Sequence, residues 1–215
     1  MSPFRAVIFD FDYTLADSSR GVEECVNYAL RNLGLPTVST MELCKTIGLS
    51  LPDTLTSLAG EEHAGKSDEF SRLFVERADE VMTELTVVFK DVPKVVERLK
   101  NEGIALGIVS TKFRYRIEEI LRREDLLEPF DTIIGGEDVS KHKPDPMGLL
   151  KAIERLKSSR STSLYVGDSV TDAETAKRAG ISFVAVLSGV TSRDLFRCYS
   201  VFGIIENLGE IIDLL

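Results

Sequence analysis

Apolar positions along this chain form two kinds of run. Five are short and continuous: residues 5–9 (RAVIF), 104–109 (IALGIV), 131–135 (DTIIG), 163–167 (SLYVG) and 182–187 (SFVAVL). Runs of this length suit strands buried on both faces of a parallel sheet. Between most of them, apolar residues recur at helical spacing. Val92, Val95, Val96 and Leu99 predict a helix stopped by Gly103, and Ile117, Ile120 and Leu121 a second. Leu149, Leu150, Ile153 and Leu156 predict a third, and Ala173, Ala176 and Ala179 a fourth that Gly180 ends. Strands alternating with helices predict an α/β fold with a doubly wound parallel sheet.

Residues 16–84 break that alternation. Val22, Val26, Ala29, Leu30 and Leu33 form one helical stripe before Gly34 and Pro36. Ser39 and Glu42 have the spacing of a capping box. Leu51, Leu55 and Leu58 mark a short helix, and Phe70, Phe74, Val81 and Leu85 a longer one. No convincing strand falls in this stretch. The pattern predicts a helical domain, residues 16–84, inserted after the first strand of a core made of residues 1–15 and 85–215.

Composition narrows the function classes. The hydrophobic and charged fractions, 43% and 28%, are those of an ordinary globular chain, which excludes collagenous and disordered classes. No apolar stretch approaches the roughly 20 residues of a membrane span, and the start MSPFRAVIFDFD is too weakly apolar for a signal peptide. The expectation is a cytoplasmic protein with no membrane partner. Cys25, Cys44 and Cys198 are scattered and odd in number, and read as reduced, mostly buried thiols. A net charge of −9 gives no general attraction for nucleic acid. A phosphorylated substrate would need positive charge concentrated locally, from a metal ion or a few placed lysines.

In open α/β sheets, ligands bind at the carboxyl ends of the strands, so the residues that follow each strand carry the argument. After the first come Asp10 and Asp12, two carboxylates two apart. One can attack phosphorus and hold a cation; the other can protonate a leaving oxygen and later activate water. After the second come Ser110, Thr111 and Lys112, where a hydroxyl and helix-start N–H groups can bind phosphate oxygens. After the third comes KHKPDP, residues 141–146, in which Lys143, directly before Pro144, is the favoured counter-charge. After the fourth come Asp168 and Asp172, hard oxygen ligands suited to Mg²⁺. Each station alone reads equally well as helix capping or a solvated loop. Together, in order at four strand exits, they are the parts of metal-assisted phosphoryl transfer.

At these residues the chain resembles the haloacid-dehalogenase-like superfamily. Asp10 to Leu15 match its Asp-x-Asp-x-Thr-Leu motif, Ser110 its second motif, Lys143 in KPDP its third, and Asp168 and Asp172 in GDSVTD its fourth. The likeness spans essentially the whole chain and is nearest to phosphoglycolate-phosphatase-like phosphatases. It implies a Rossmann-like core with an inserted helical cap. It also implies a Mg²⁺ cofactor and a small phosphorylated substrate hydrolysed through an aspartyl phosphate. Carried over, Asp10 is nucleophile and metal ligand, and Asp12 is acid/base, its main-chain carbonyl also meeting the metal. Ser110 and Lys143 bind the phosphoryl group, Asp168 binds the metal, and Asp172 supports it. The cap loop at Gly48, Leu49 and Ser50 is implied to contact substrate. Two departures stand out: Tyr13 occupies a position usually held by glycine, and VVFKDVP (87–93) replaces a Pro-Gly turn.

Rival readings remain. True dehalogenases lack the second acid, so Asp12 argues against them. A phosphonatase needs a cap lysine; Lys45 and Lys66 are present, with nothing around them that marks either. A sugar-phosphate mutase shares all four motifs. A phospho-receiver signalling domain is also doubly wound and uses Mg²⁺, but its phosphorylated Asp follows the third strand. A catalytically silent binding protein has no need of the full acid set.

Overall fold

The computed structural model describes residues 3–215. In chain order the elements are β1 (Ala6–Phe9), β2 (Ala16–Asp17), α1 (Ser19–Asn32), α2 (Thr40–Cys44), α3 (Leu51–Ala59), α4 (Ser67–Leu85), β3 (Val87–Val88), α5 (Val92–Asn101), β4 (Ala105–Val109), α6 (Arg114–Arg123), β5 (Thr132–Ile134), α7 (Met147–Arg155), β6 (Ser163–Gly167), α8 (Val170–Ala179), β7 (Ser182–Val186), β8 (Gly203–Ile205) and α9 (Ile211–Leu214). The contacts divide into two compact units, Met1–Ala16 with Val88–Leu215, and Asp17–Val87. The dividing positions fall in β2 and β3, which pair as a two-stranded ribbon.

The first unit is built on a six-stranded sheet of order β5-β4-β1-β6-β7-β8, parallel at every pairing. Alternate residues of β1 face opposite layers. Val7 and Phe9 pack with Val92, Val95 and Leu99 of α5 and Ile117 and Ile120 of α6. Ile8 packs on the other side with Leu149 and Ile153 of α7 and Ala173 and Ala176 of α8. Burial on both faces explains why these strands read as unbroken apolar runs. The chain steps from β1 to β4 on one side and later returns to β6 on the other, so the strand order reverses at β1. That reversal opens a crevice at the carboxyl ends of β4, β1 and β6.

The second unit is helical around its own core. Val26, Ala29 and Leu30 of α1 pack with Phe70, Phe74 and Met82 of α4 and with Leu55 of α3. The Ser39–Glu42 capping box forms in full at the start of α2. Of the three cysteines only Cys25 is buried; Cys44 is half-buried and Cys198 exposed, because the two later ones sit at a helix end and in a surface turn. Among the described residues no helix is long and apolar enough to cross a membrane.

Candidate active site

Three of the four stations begin one residue past a strand, and two stay on the sheet's ladder. The Asp10 N–H donates to Val166 O at 2.9 Å and the Ser110 N–H to Ile134 O at 3.0 Å. These side chains are therefore set by sheet register rather than by loop conformation. Asp168 follows Gly167, and α8 begins two residues later, with Ser169 as its N-cap. Lys143 comes from the segment between β5 and α7, through a cis Lys143–Pro144 peptide.

The side chains converge. Lys143 Nζ lies 2.8 Å from Asp10 Oδ2 and 2.7 Å from Asp172 Oδ1, and its side chain is 5% exposed. Asp10 Oδ1 accepts the Phe11 N–H at 2.7 Å. Oxygens of Asp10, Asp168 and Asp172 lie within 4.8 Å of one another. Lys141, the alternative lysine, is exposed. Asp172 is fully engaged: Oδ1 takes Lys143 and the Tyr165 hydroxyl at 2.9 Å, and Oδ2 takes the Ser169 N–H and hydroxyl at 3.1 and 2.6 Å. It caps α8 and holds the lysine, while Asp10 and Asp168 are the better placed to meet a cation.

Asp12 stands outside this cluster of carboxylates. Its Oδ1 lies 3.2 Å from Lys112 Nζ, both side chains nearly buried. Lys112, expected to meet substrate, is thus placed on the second acid of the first motif. The Ser110 hydroxyl accepts the Lys112 N–H at 3.3 Å, and Thr111 beside it is half-buried. Gly48, Leu49 and Ser50 lie in the helical unit. The Ser50 hydroxyl is engaged at the start of α3, accepting from the Asp53 N–H at 3.3 Å and donating to Asp53 Oδ2 at 2.5 Å. Leu49 is half-buried and stands outside the cluster that includes Ile47 and Leu51.

Tyr165 was not legible as a site residue. It sits mid-strand in β6 and its hydroxyl bonds Asp172, with Lys143 Nζ at 3.4 Å. A buried aromatic in an apolar run signals only core; the acid seven residues later was the one available hint.

Three buried carboxylates against the buried ammonium of Lys143 leave excess negative charge. The Asp10 carboxyl is pushed up to about 7: burial is the largest cause, the Lys143 ammonium works against it, and the charges of Asp172 and Asp12 add to it. Burial and then the charges of Asp172 and Asp10 raise Asp168 well above the carboxylate range. Burial works against the Lys143 ammonium, but Asp10 and Asp172 outweigh it and raise its pKa. An all-oxygen donor set with uncompensated charge fits a hard divalent ion such as Mg²⁺. Asp10 and Asp168 would hold it.

This imbalance has a measurable consequence. A carboxyl with a raised folded pKa binds protons more tightly folded than unfolded, so its contribution to stability is complete below its ordinary value and is lost as pH rises through the folded value. For Asp10 that window runs from 3.8 to about 7; Lys143, raised in the same direction, loses its contribution the same way, but only at alkaline pH. Without divalent metal, the melting temperature should therefore fall as pH rises from 4.5 to 7.5. Thermal melts in chelator across that range check this. A melting temperature that instead climbs steadily would contradict the charge imbalance.

The family model for haloacid dehalogenase-like hydrolases matches residues 7–186. A Caldanaerobacter subterraneus protein described as a pyrophosphatase is 31% identical over 98% of this chain and 94% of its own length. The phosphoglycolate phosphatase of Aquifex aeolicus is 30% identical over 86% of this chain and 85% of its own. A solved Bacteroides fragilis structure, described as a haloacid dehalogenase-like hydrolase, superposes with a TM-score of 0.93 at 43% identity, covering 97% and 99% of the two chains. The chain belongs to the haloacid dehalogenase-like hydrolase family, among its phosphoglycolate-phosphatase-like members. It is an enzyme of the phosphoric monoester hydrolase class.

Proposed function

We propose that this enzyme is a Mg²⁺-dependent phosphatase that hydrolyses a small, phosphoglycolate-like monoester by way of a phosphoryl group carried on Asp10. The observation that carries this reading is the buried set of Lys143 bridging Asp10 and Asp172 with Asp168 alongside, at the point where strand order reverses. An Asp10 carboxylate oxygen attacks phosphorus as the bond to the leaving oxygen breaks. Asp12, held by Lys112, gives that oxygen a proton. Asp12 then takes a proton from a water that attacks the same phosphorus; the bond to Asp10 breaks and inorganic phosphate leaves. Ser110 and Lys143 bind phosphoryl oxygens, and Tyr165 and Asp172 orient the lysine. Mg²⁺, when bound, offsets the charge of the phosphoryl oxygens and of the acids around them.

The test is phosphate release from a panel: an aryl phosphate, small carboxylated and sugar phosphates, and pyrophosphate. Turnover with Mg²⁺ that chelator removes is expected, with a two-carbon or similarly small phosphomonoester preferred. Undiminished turnover in excess chelator, or an isomerised sugar phosphate with no free phosphate, would overturn the reading.

Substrate choice, by resemblance, belongs to the helical unit. All the acid, hydroxyl and lysine stations lie in the sheet unit, and Leu49 is the one apolar side chain of the 48–50 loop, neither capping a helix nor joining the helical core. Leu49→Ala should change relative kcat/KM among natural phosphate esters by about 10-fold or more, in line with loss of a few methylene contacts. Turnover of an aryl phosphate should change little. Equal loss on every substrate would make the loop structural.

A further inference from the structure

The exit of β7, Leu187-Ser188-Gly189-Val190, carries no acid or base, yet it meets the site twice. The Ser188 hydroxyl donates to the Tyr13 carbonyl. Tyr13 directly follows Asp12 and has φ 59, the left-handed region, which residues other than glycine adopt only when held there. Its turn is closed by the Tyr13 N–H donating to Ala16 O at 2.7 Å. One residue beyond Ser188, Gly189 lies against Asp168: a Cβ there would stand 2.0 Å from Asp168 Oδ2 and 2.8 Å from its Cγ. The exit itself is anchored, because the Leu187 N–H donates to Ile205 O at 2.9 Å, extending the β7–β8 ladder.

We propose that Ser188-Gly189 is a positioning element for the metal-holding carboxylates. Ser188 pins the Tyr13–Thr14 peptide and so holds Tyr13 in a conformation it would otherwise resist. Gly189 gives the Asp168 carboxylate the space it occupies beside Asp10. One rigid strand exit thus sets the spacing between the first and fourth stations. Tyr13 could replace the usual glycine because this hydroxyl helps hold the left-handed turn. The inference rests on the reading of the site given above, but it assigns work to two residues that carry none of the chemistry.

The test is Mg²⁺ binding by calorimetry to the resting protein, alongside the Mg²⁺ dependence of aryl phosphate turnover. Ser188→Ala should weaken Mg²⁺ binding by about 10-fold, the usual scale for residues that orient metal ligands, with the circular dichroism spectrum unchanged. Ser188→Thr, which keeps the hydroxyl, should recover most of that affinity. Adding Tyr13→Gly to Ser188→Ala should also recover it, since glycine takes the left-handed turn without help; a merely structural serine would not be rescued so specifically. Gly189→Ala should weaken binding by about 100-fold. If that variant does not fold, the Ser188 series still decides. Wild-type Mg²⁺ affinity in both Ser188→Ala and Gly189→Ala, with wild-type turnover intact, would overturn this inference alone. Wild-type protein that neither binds Mg²⁺ nor releases phosphate would overturn the site reading and this inference with it.

Discussion

Asp10→Asn should abolish turnover, by at least about 10⁴-fold, the scale expected when a nucleophile is removed, and should leave the protein folded. The amide keeps the size of the carboxylate but is a poor nucleophile and a weaker metal ligand. The same change removes a buried carboxyl whose ionisation is opposed by burial and by Asp172 and Asp12. Asp10→Asn should therefore be at least as stable as wild type at pH 7.5 in chelator, and its melting temperature should depend less on pH. Phosphate release and thermal melts on one sample check both halves. Near-normal turnover would remove Asp10 from the nucleophile role. A dead variant that also unfolds would instead give it a structural one, since Lys143 and the Phe11 N–H both bind its oxygens.

The second large effect is at Asp12. Asp12→Asn should lower steady-state turnover by about 10²–10⁴-fold, the range of general acid–base catalysis, and should do so unequally across the two half-reactions. An aryl leaving group needs little protonation, so the first transfer survives in part. Attack by water still needs a base, so the second does not. Rapid-quench kinetics should show a burst of the aryl alcohol followed by a slow steady state. The placement of Asp12 supports this division: it lies apart from the Asp10, Asp168 and Asp172 cluster and is paired with Lys112. Equal slowing of both steps, with no burst, would remove the acid/base assignment.

Much of this arrangement could be read from the chain. The central strands are buried on both faces, so β1, β4, β6 and β7 appear as continuous apolar runs, and the amphipathic helices on either side keep a clear period. β8 was missed because it is a three-residue strand at the sheet's edge, only partly buried, and its pattern is no stronger than a loop's. The chemistry was legible wherever a titratable side chain stood just past a strand. It was hidden wherever the work is done by position alone. Tyr165 looks like core until its hydroxyl is seen on Asp172. Lys112 looks like a phosphate ligand because it neighbours Ser110, yet its ammonium reaches Asp12. Ser50 reads as a loop hydroxyl, yet it is engaged in capping α3. Ser188 and Gly189 carry no chemical signal at all; only the Tyr13 carbonyl and the Asp168 carboxylate against them show what they touch.

The central claim is that the phosphoryl group passes through Asp10. The most direct measurement is acid quench of Asp12→Asn during turnover of an aryl phosphate with Mg²⁺, followed by peptide mapping by mass spectrometry. The account predicts a phosphoryl adduct on the peptide that holds Asp10 and none in the Asp10→Asn, Asp12→Asn double variant. An adduct on another residue, or no adduct while the wild-type enzyme turns over normally, would contradict it.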